Sequence, residues 1–373
     1  MSEGSPGDRV LEALRSVRDP ALGRDLVSLG MVKGIEERGG AVTVAVELTT
    51  PACPLREAIE RDVRAASGAV AGVKSVAVRF SAAVVRRAGA PAPNAVRLGG
   101  IRNAVAVASG KGGVGKSTVA ANVALALKDD GARVGLLDAD VYGPSQPLMF
   151  GLQGRQPDVT GDGKIVPLEA HGIELMSIGF LLEDPKAAVV WRGPMIHKAL
   201  AQFFEDVLWG DLDYLVVDLP PGTGDAQLSL SQLVPLTGAA VVTTPQEVSL
   251  IDVRKAVDMF RKVRVPILGV LENMSTFVCP CCGTETAIFD RGGGERAARE
   301  WDVPFLGGIP IDPLARAAGD AGVPVVLSHP ESEIAGAFRR AARALACRVS
   351  VEALTPRPPE PASAARAPAG FEV

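Results

Sequence analysis

Nine consecutive residues constrain this chain more than any other feature. Gly110-Lys111-Gly112-Gly113-Val114-Gly115-Lys116-Ser117-Thr118 has the pattern GxxxxGK followed by Ser or Thr. It stands between NAVAVAS (103–109), which reads as an apolar strand, and STVAANVALAL, which reads as a helix. Motif and context together describe a phosphate-binding loop. The glycines let the backbone curl with its N–H groups inward, and the helix N-terminus adds a positive dipole end. Lys116 can reach the β- and γ-phosphates, and Ser117 is the expected Mg²⁺ ligand. A Gly-rich turn without a ligand would not need the lysine, the hydroxyl and the strand-to-helix context all at once.

A loop of this kind needs a parallel sheet around it, and the following sequence supplies one. RVGLLDAD, DYLVVDLP, AAVVTTP and VPILGVLEN are short apolar runs ending in polar, Gly or Pro residues, with helix-length segments between most of them. Near-continuous apolar strands alternating with helices predict a doubly wound, mostly parallel α/β sheet covered on both faces. Asp218 closes DYLVVD, where a carboxylate orients the Mg²⁺ shell. Asp138 and Asp140 close RVGLLDAD, near the switch point where such sheets bind ligands. Pro220-Pro221-Gly222-Thr223-Gly224-Asp225 reads as a stiff, Gly-hinged loop able to sense a γ-phosphate. No NKxD guanine-reading sequence occurs, so ATP is expected over GTP.

The chain has 373 residues, room for a second unit ahead of this one. Val10, Leu11, Leu14 and Val17 have helical spacing that stops at Asp19-Pro20; AVTVAVELTT (41–50) alternates as a strand. A helix from about Pro54 and a strand at 73–80 follow, giving a small α+β unit over 1–85. Residues 86–100, rich in Ala, Pro and Gly, read as a linker; the P-loop domain covers 101–350, and 351–373 read as a disordered tail. No repeat of fixed period is apparent, which removes solenoids and propellers.

Composition narrows the function classes. Hydrophobic residues make up 47%, enough for packed cores, and no run approaches the ~20 apolar residues of a membrane span. The start lacks a basic region followed by an apolar one, so a cytoplasmic location is expected. A net charge of −4 argues against binding nucleic acid or an anionic membrane through bulk charge.

Three of the five cysteines crowd at Cys279, Cys281 and Cys282. Cys279 and Cys282 form a CxxC, half of a four-ligand zinc or iron–sulfur site. Two chains related by a twofold axis would supply the other half. Spacing alone leaves iron–sulfur, zinc and a redox dithiol open. Cys53 precedes a predicted helix N-terminus, where the dipole would stabilise a thiolate, with a buried inert cysteine as the other reading; Cys347, among Ala and Leu, reads as packing. His171, His197 and His329 are scattered without a partner at ligand spacing.

ASGKGGVGKST, LLDADVYGPS, VVDLPPGTGD, ENMS and CPCCG together resemble the Mrp/ApbC group of iron–sulfur cluster carrier ATPases. DPALGRDLVSLGMV and LTTPACPL resemble the small iron–sulfur assembly domain often fused ahead of them. The likeness covers nearly all of the chain except the linker and tail. It implies that Lys111 is the signature lysine that crosses a dimer interface to the partner's phosphates, as in partition-type and Min-type ATPases. It further implies that Lys116 and Ser117 bind phosphate and Mg²⁺, Asp140 orients the attacking water, Asp218 supports Mg²⁺ and Asn273 faces adenine. Cys279 and Cys282 would then hold a 4Fe–4S cluster between two subunits, received from a donor and delivered to apoproteins. The family's usual pattern is CPxCG, so Cys281 is a departure that places a third thiol beside the pair. The competing readings are a partition or positioning ATPase acting on DNA or membrane, which leaves CPCCG unexplained, and a nucleotide-gated zinc-binding scaffold.

Overall fold

The computed structural model describes residues 5–86, 96, 98–181 and 193–355. Of the expected tail, 351–373, the residues from 356 on lie outside them, as does most of the linker, whereas 351–354 continue the last helix.

The front unit is a three-stranded sheet backed by two helices. Ser5 caps helix α1 (Pro6–Leu14) through a reciprocal bond with Asp8, and Pro6 suits the first turn. Strands β1 (Val32–Arg38) and β2 (Ala41–Leu48) pair antiparallel, and β3 (Ser75–Ala82) joins β2 in parallel after helix α2 (Arg56–Gly68). Val42, Val44, Val46 and Leu48 face inward on alternate positions of β2 and pack against Val10, Leu14, Ile59 and Val63. β1 was not apparent in the sequence, because VKGIEER is polar and its residues are largely exposed.

The second unit is a nine-stranded sheet. Its elements in chain order are β4 (Asn103–Ser109), α3 (Lys116–Asp129), β5 (Val134–Asp138), α4 (Gln146–Met149), β6 (Leu168–Ala170), β7 (Ile173–Ser177), α5 (Gly193–Glu205), β8 (Tyr214–Asp218), α6 (Asp225–Leu233), β9 (Gly238–Thr243) and α7 (Glu247–Lys262). There follow β10 (Ile267–Val278), β11 (Glu285–Thr286), α8 (Gly293–Glu300), β12 (Phe305–Ile311), α9 (Pro313–Asp320), α10 (Val325–Ser328) and α11 (Glu333–Leu354). The spatial order is β11-β10-β9-β4-β8-β5-β7-β6, with β12 also on β10. All pairings are parallel except those of β6 and β11 at the margins. β4, β5, β8 and β9 are buried along their whole length, which is why they read as unbroken apolar runs. β4 lies between β8 and β9, so the P-loop emerges at the middle of the sheet.

The two units touch through packed residues rather than through a tether alone. Ala52, from the turn after β2, is buried within the large core of the second unit, and Val84 and Val96 join it. The Val96 N–H donates to Leu233 O at 3.0 Å, so that part of the segment read as a loose linker is fastened down. Phe203 and Phe204 of α5 are buried in the same core, as helical spacing suggests, whereas Leu208 is exposed.

Candidate functional site

The P-loop takes its shape from two glycines in the left-handed region. Gly113 has φ 82° and Gly115, which caps α3, has φ 81°. Gly110 is required for a different reason: a Cβ there would run into the backbone of Asp252 and Val253 in α7. Gly112 is exposed, and Ser117 and Thr118 stand in the first turn of α3. The Ser109 hydroxyl donates to Lys111 O at 2.9 Å and fixes the start of the loop.

Lys116 is buried and sits among carboxylates. Its Nζ bonds Asp218 Oδ1, lies 3.5 Å from Asp140 Oδ2 and 3.3 Å from Ser117 Oγ. Burial works against its charge, but Asp218 and Asp140 more than offset that and hold its pKa above the usual lysine value. Burial, then the neighbouring Asp218 charge, pushes the Asp138 carboxyl up to about 7. Asp138 accepts from the Asp140 N–H at 3.2 Å, the Gln146 N–H at 3.0 Å and the Ser177 hydroxyl at 3.0 Å. Asp140 Oδ1 accepts the Tyr142 and Gly143 N–H groups at 3.2 Å each, holding the loop after β5. Three carboxylates thus converge on one lysine.

Sequence reasoning missed Gln146. Its amide nitrogen donates to Ser117 O at 3.0 Å and to Asp218 Oδ2 at 2.9 Å, so one fully buried side chain ties the P-loop helix to the end of β8. Its Oε1 is buried without a hydrogen-bond partner. A polar residue just before Pro147 in a segment of no clear periodicity carried no signal of this. The loop after β8 returns to the P-loop through the Gly222 N–H, which donates to Ser109 O at 3.0 Å.

Lys111 stands apart from this cluster: it is half-buried and makes no side-chain hydrogen bond or ion pair among the described residues. Asn273, at the exit of the regular part of β10, is placed beside the P-loop. Its Nδ2 donates to Val114 O at 2.8 Å, which holds it against the loop backbone.

The cysteines at 279, 281 and 282 form the turn of a hairpin. Phe277 and Val278 of β10 pair with Thr286 and Glu285 of β11, the Cys279 N–H donates to Thr284 O at 3.0 Å and the Gly283 N–H to Cys279 O at 2.8 Å. Gly283 takes φ 69°, which closes the turn. Cys281 and Cys282 are exposed and Cys279 half-buried. The Cys282 thiol, hydrogen-bonded to Thr284 Oγ1 at 3.2 Å and next to Cys279, has its pKa lowered. Among the described residues no three His, Cys, Asp or Glu side chains are grouped to hold a metal.

Cys53 departs from expectation. Helix α2 begins at Arg56, not at Pro54, and burial raises the Cys53 thiol against the smaller opposing pull of the Leu55 N–H. Cys347 on α11 is half-buried as well, its thiol pushed up to about 11 by burial and by Cys53. His171 bonds Gly322 O at 3.1 Å and His329 the Ser328 hydroxyl at 3.0 Å; the His197 side chain lies outside the described residues.

Residues 100–346 match the protein family described as the NUBPL iron-transfer P-loop NTPase, and residues 7–80 match that of the iron–sulfur cluster assembly protein. The chain is 53% identical over 351 residues to the iron–sulfur cluster carrier protein of Deinococcus radiodurans, covering 94% of this chain and 98% of that one. It is 48% identical over 351 residues to the carrier protein of the same description from Synechocystis, covering 93% and 99%. Among solved structures, a nucleotide-binding protein from Archaeoglobus fulgidus in complex with ADP is similar at a TM-score of 0.57 and 40% identity, over 65% of this chain and 94% of that one. The cell division ATPase MinD of Pyrococcus furiosus is similar at a TM-score of 0.50 and 26% identity, over 65% and 97%.

Proposed function

The chain belongs to the family of iron-transfer P-loop NTPases and is a P-loop ATPase, and from that premise we propose that it is a cytoplasmic, homodimeric carrier of a 4Fe–4S cluster. Cys279 and Cys282 of two subunits would hold the cluster as cargo, received from a donor and passed to apoprotein acceptors. The observation that carries this reading is the hairpin: two thiols of a CxxC, accessible, on a short turn that cannot complete a four-ligand site by itself. The carrier relatives support it over a partition or positioning ATPase acting on DNA or membrane, and over a zinc-binding scaffold.

In the nucleotide site, Gly110, Gly112, Gly113, Val114 and Gly115 present backbone to the phosphates, with Thr118 in the same first helical turn. Lys116 exchanges its carboxylate partners for the β- and γ-phosphates as ATP enters. The donor set suits magnesium: Ser117, Asp140 and Asp218 are hard oxygen donors, and three carboxylates facing one lysine leave room for further positive charge. Ser117 and Asp218 would hold that ion, which supplies neutralisation of charge developing on the phosphates. Asp140 positions the attacking water. Lys111, without a side-chain partner among the described residues, extends to the partner's phosphates, so that ATP sets the dimer geometry and with it cluster retention. The front unit, over 1–85, serves as an accessory module, and neither nucleic acid nor membrane is a partner.

The test is transfer. Protein purified anaerobically and loaded with iron and sulfide should activate an apo 4Fe–4S dehydratase. Zinc in place of iron, or no activation by a loaded protein, overturns the reading.

A further inference from the structure

β10 carries both the contact with the P-loop and the approach to the cysteine turn on one strand. Gly115, left-handed at φ 81°, has no Cβ, and a Cβ would overlap the Asn273 amide nitrogen; its absence lets Asn273 reach Val114 O at 2.8 Å. Only the short run from Met274 to Val278 separates Asn273 from Cys279: Val278 ends β10, and Cys279 begins the turn.

Met274, the residue after Asn273, has φ 58°, a left-handed conformation that costs a side-chain-bearing residue about 1–2 kcal/mol. Beyond it the pairing of β10 with β12 slips: Asn273 faces Ile309 and Phe277 faces Ile311, so β10 uses four steps where β12 uses two. From Phe277 on, the strand pairs with β11 as one hairpin. Before the slip it is pinned, since Glu272 accepts the Gly294 N–H at 2.6 Å and the Gly292 N–H at 3.4 Å at the N-terminus of α8. A strained residue between a pinned strand and a short hairpin is a place where two arrangements lie close in energy.

We infer that Asn273 and Met274 link the P-loop to the cysteine hairpin, so that nucleotide seated at Val114 and Gly115 changes the setting of Cys279 and Cys282. This regulation rests on the proposed carrier function for its purpose, but its test needs no cluster. In the cluster-free full chain, the rates at which iodoacetamide alkylates Cys279 and Cys282 are followed by mass spectrometry with and without saturating ADP. The wild-type rates should differ about five-fold or more between the two states. Asn273→Ala and Met274→Gly should each bring the ratio close to one, with Met274→Gly keeping its ATP hydrolysis. If Asn273→Ala fails to fold, Met274→Gly decides. A wild-type ratio of one, or a Met274→Gly ratio equal to that of wild type, overturns the link. A protein that shows the ADP effect yet binds no cluster overturns the carrier reading and leaves the link standing.

Discussion

The Tyr214 hydroxyl donates a 2.9 Å hydrogen bond to Thr50 Oγ1, and both residues are buried. The bond joins the front unit to the first residue of β8, whereas Asp218, the carboxylate beside Lys116, is the last residue of that strand. Four steps at about 3.3 Å put the two ends about 13 Å apart. The turn that carries Cys53 therefore docks at the opposite end of the sheet from the P-loop and from the cysteine hairpin, which follows the parallel strand β10.

Removing this contact should reveal its asymmetry. Tyr214→Phe is expected to lower stability by about 1 kcal/mol, whereas Thr50→Val leaves a buried hydroxyl unpaired and should lower it by about 1–3 kcal/mol. Burial raises the Tyr214 pKa, so the folded state keeps a proton that the unfolded chain releases near pH 10. Stability is thus unaffected by this group below about pH 10 and falls as pH rises above it. Stability measured by denaturant titration across that range should fall less steeply with pH in Tyr214→Phe.

Deleting residues 1–90 should leave ATP hydrolysis measurable but lower the melting temperature, because Tyr214 and the site filled by Ala52 lose their cover. An unchanged melting temperature would show that the docking contributes nothing. Delivery of clusters in cells should fall with it; full complementation would make the front unit dispensable.

Lys116→Ala should abolish ATP hydrolysis. It should also destabilise the chain by about 3 kcal/mol near neutral pH, since Asp138, Asp140 and Asp218 lose their buried counter-charge. Turnover assays and denaturant titrations of the same preparation check both effects. Unchanged hydrolysis removes the phosphate role.

Lys111→Ala should lose hydrolysis with little change in stability, because the side chain has no partner to forfeit among the described residues. Mixed with Asp140→Ala it should recover roughly a quarter of wild-type turnover: half of the dimers are mixed, and each mixed dimer holds one intact composite site. No recovery counts against a role across the interface.

The strands around the nucleotide were legible because they are buried on both faces and read as apolar runs, and the P-loop because its chemistry dictates its residues. β6, β7 and β12 were not legible: Leu168–Ala170 is too short, and FLGGIPI carries two glycines and a proline. Gln146 was hidden because its role depends on contacts with Ser117 and Asp218, far away in sequence. Cys53 misled because proximity to a helix start was visible in the sequence. The burial that outweighs it comes from packing on the front unit's core.

If Cys279 and Cys282 of two chains share one cluster, the stoichiometry is fixed. Iron and acid-labile sulfide per chain, measured on anaerobically reconstituted protein whose mass is followed by light scattering, decide it. Wild type and Cys281→Ala should each hold one four-iron cluster per dimer, about two irons per chain, and the Cys279→Ala/Cys282→Ala double variant none while still binding ATP. A full cluster per monomer, or a Cys281→Ala variant that loses its iron while Cys279→Ala retains it, would overturn the shared site.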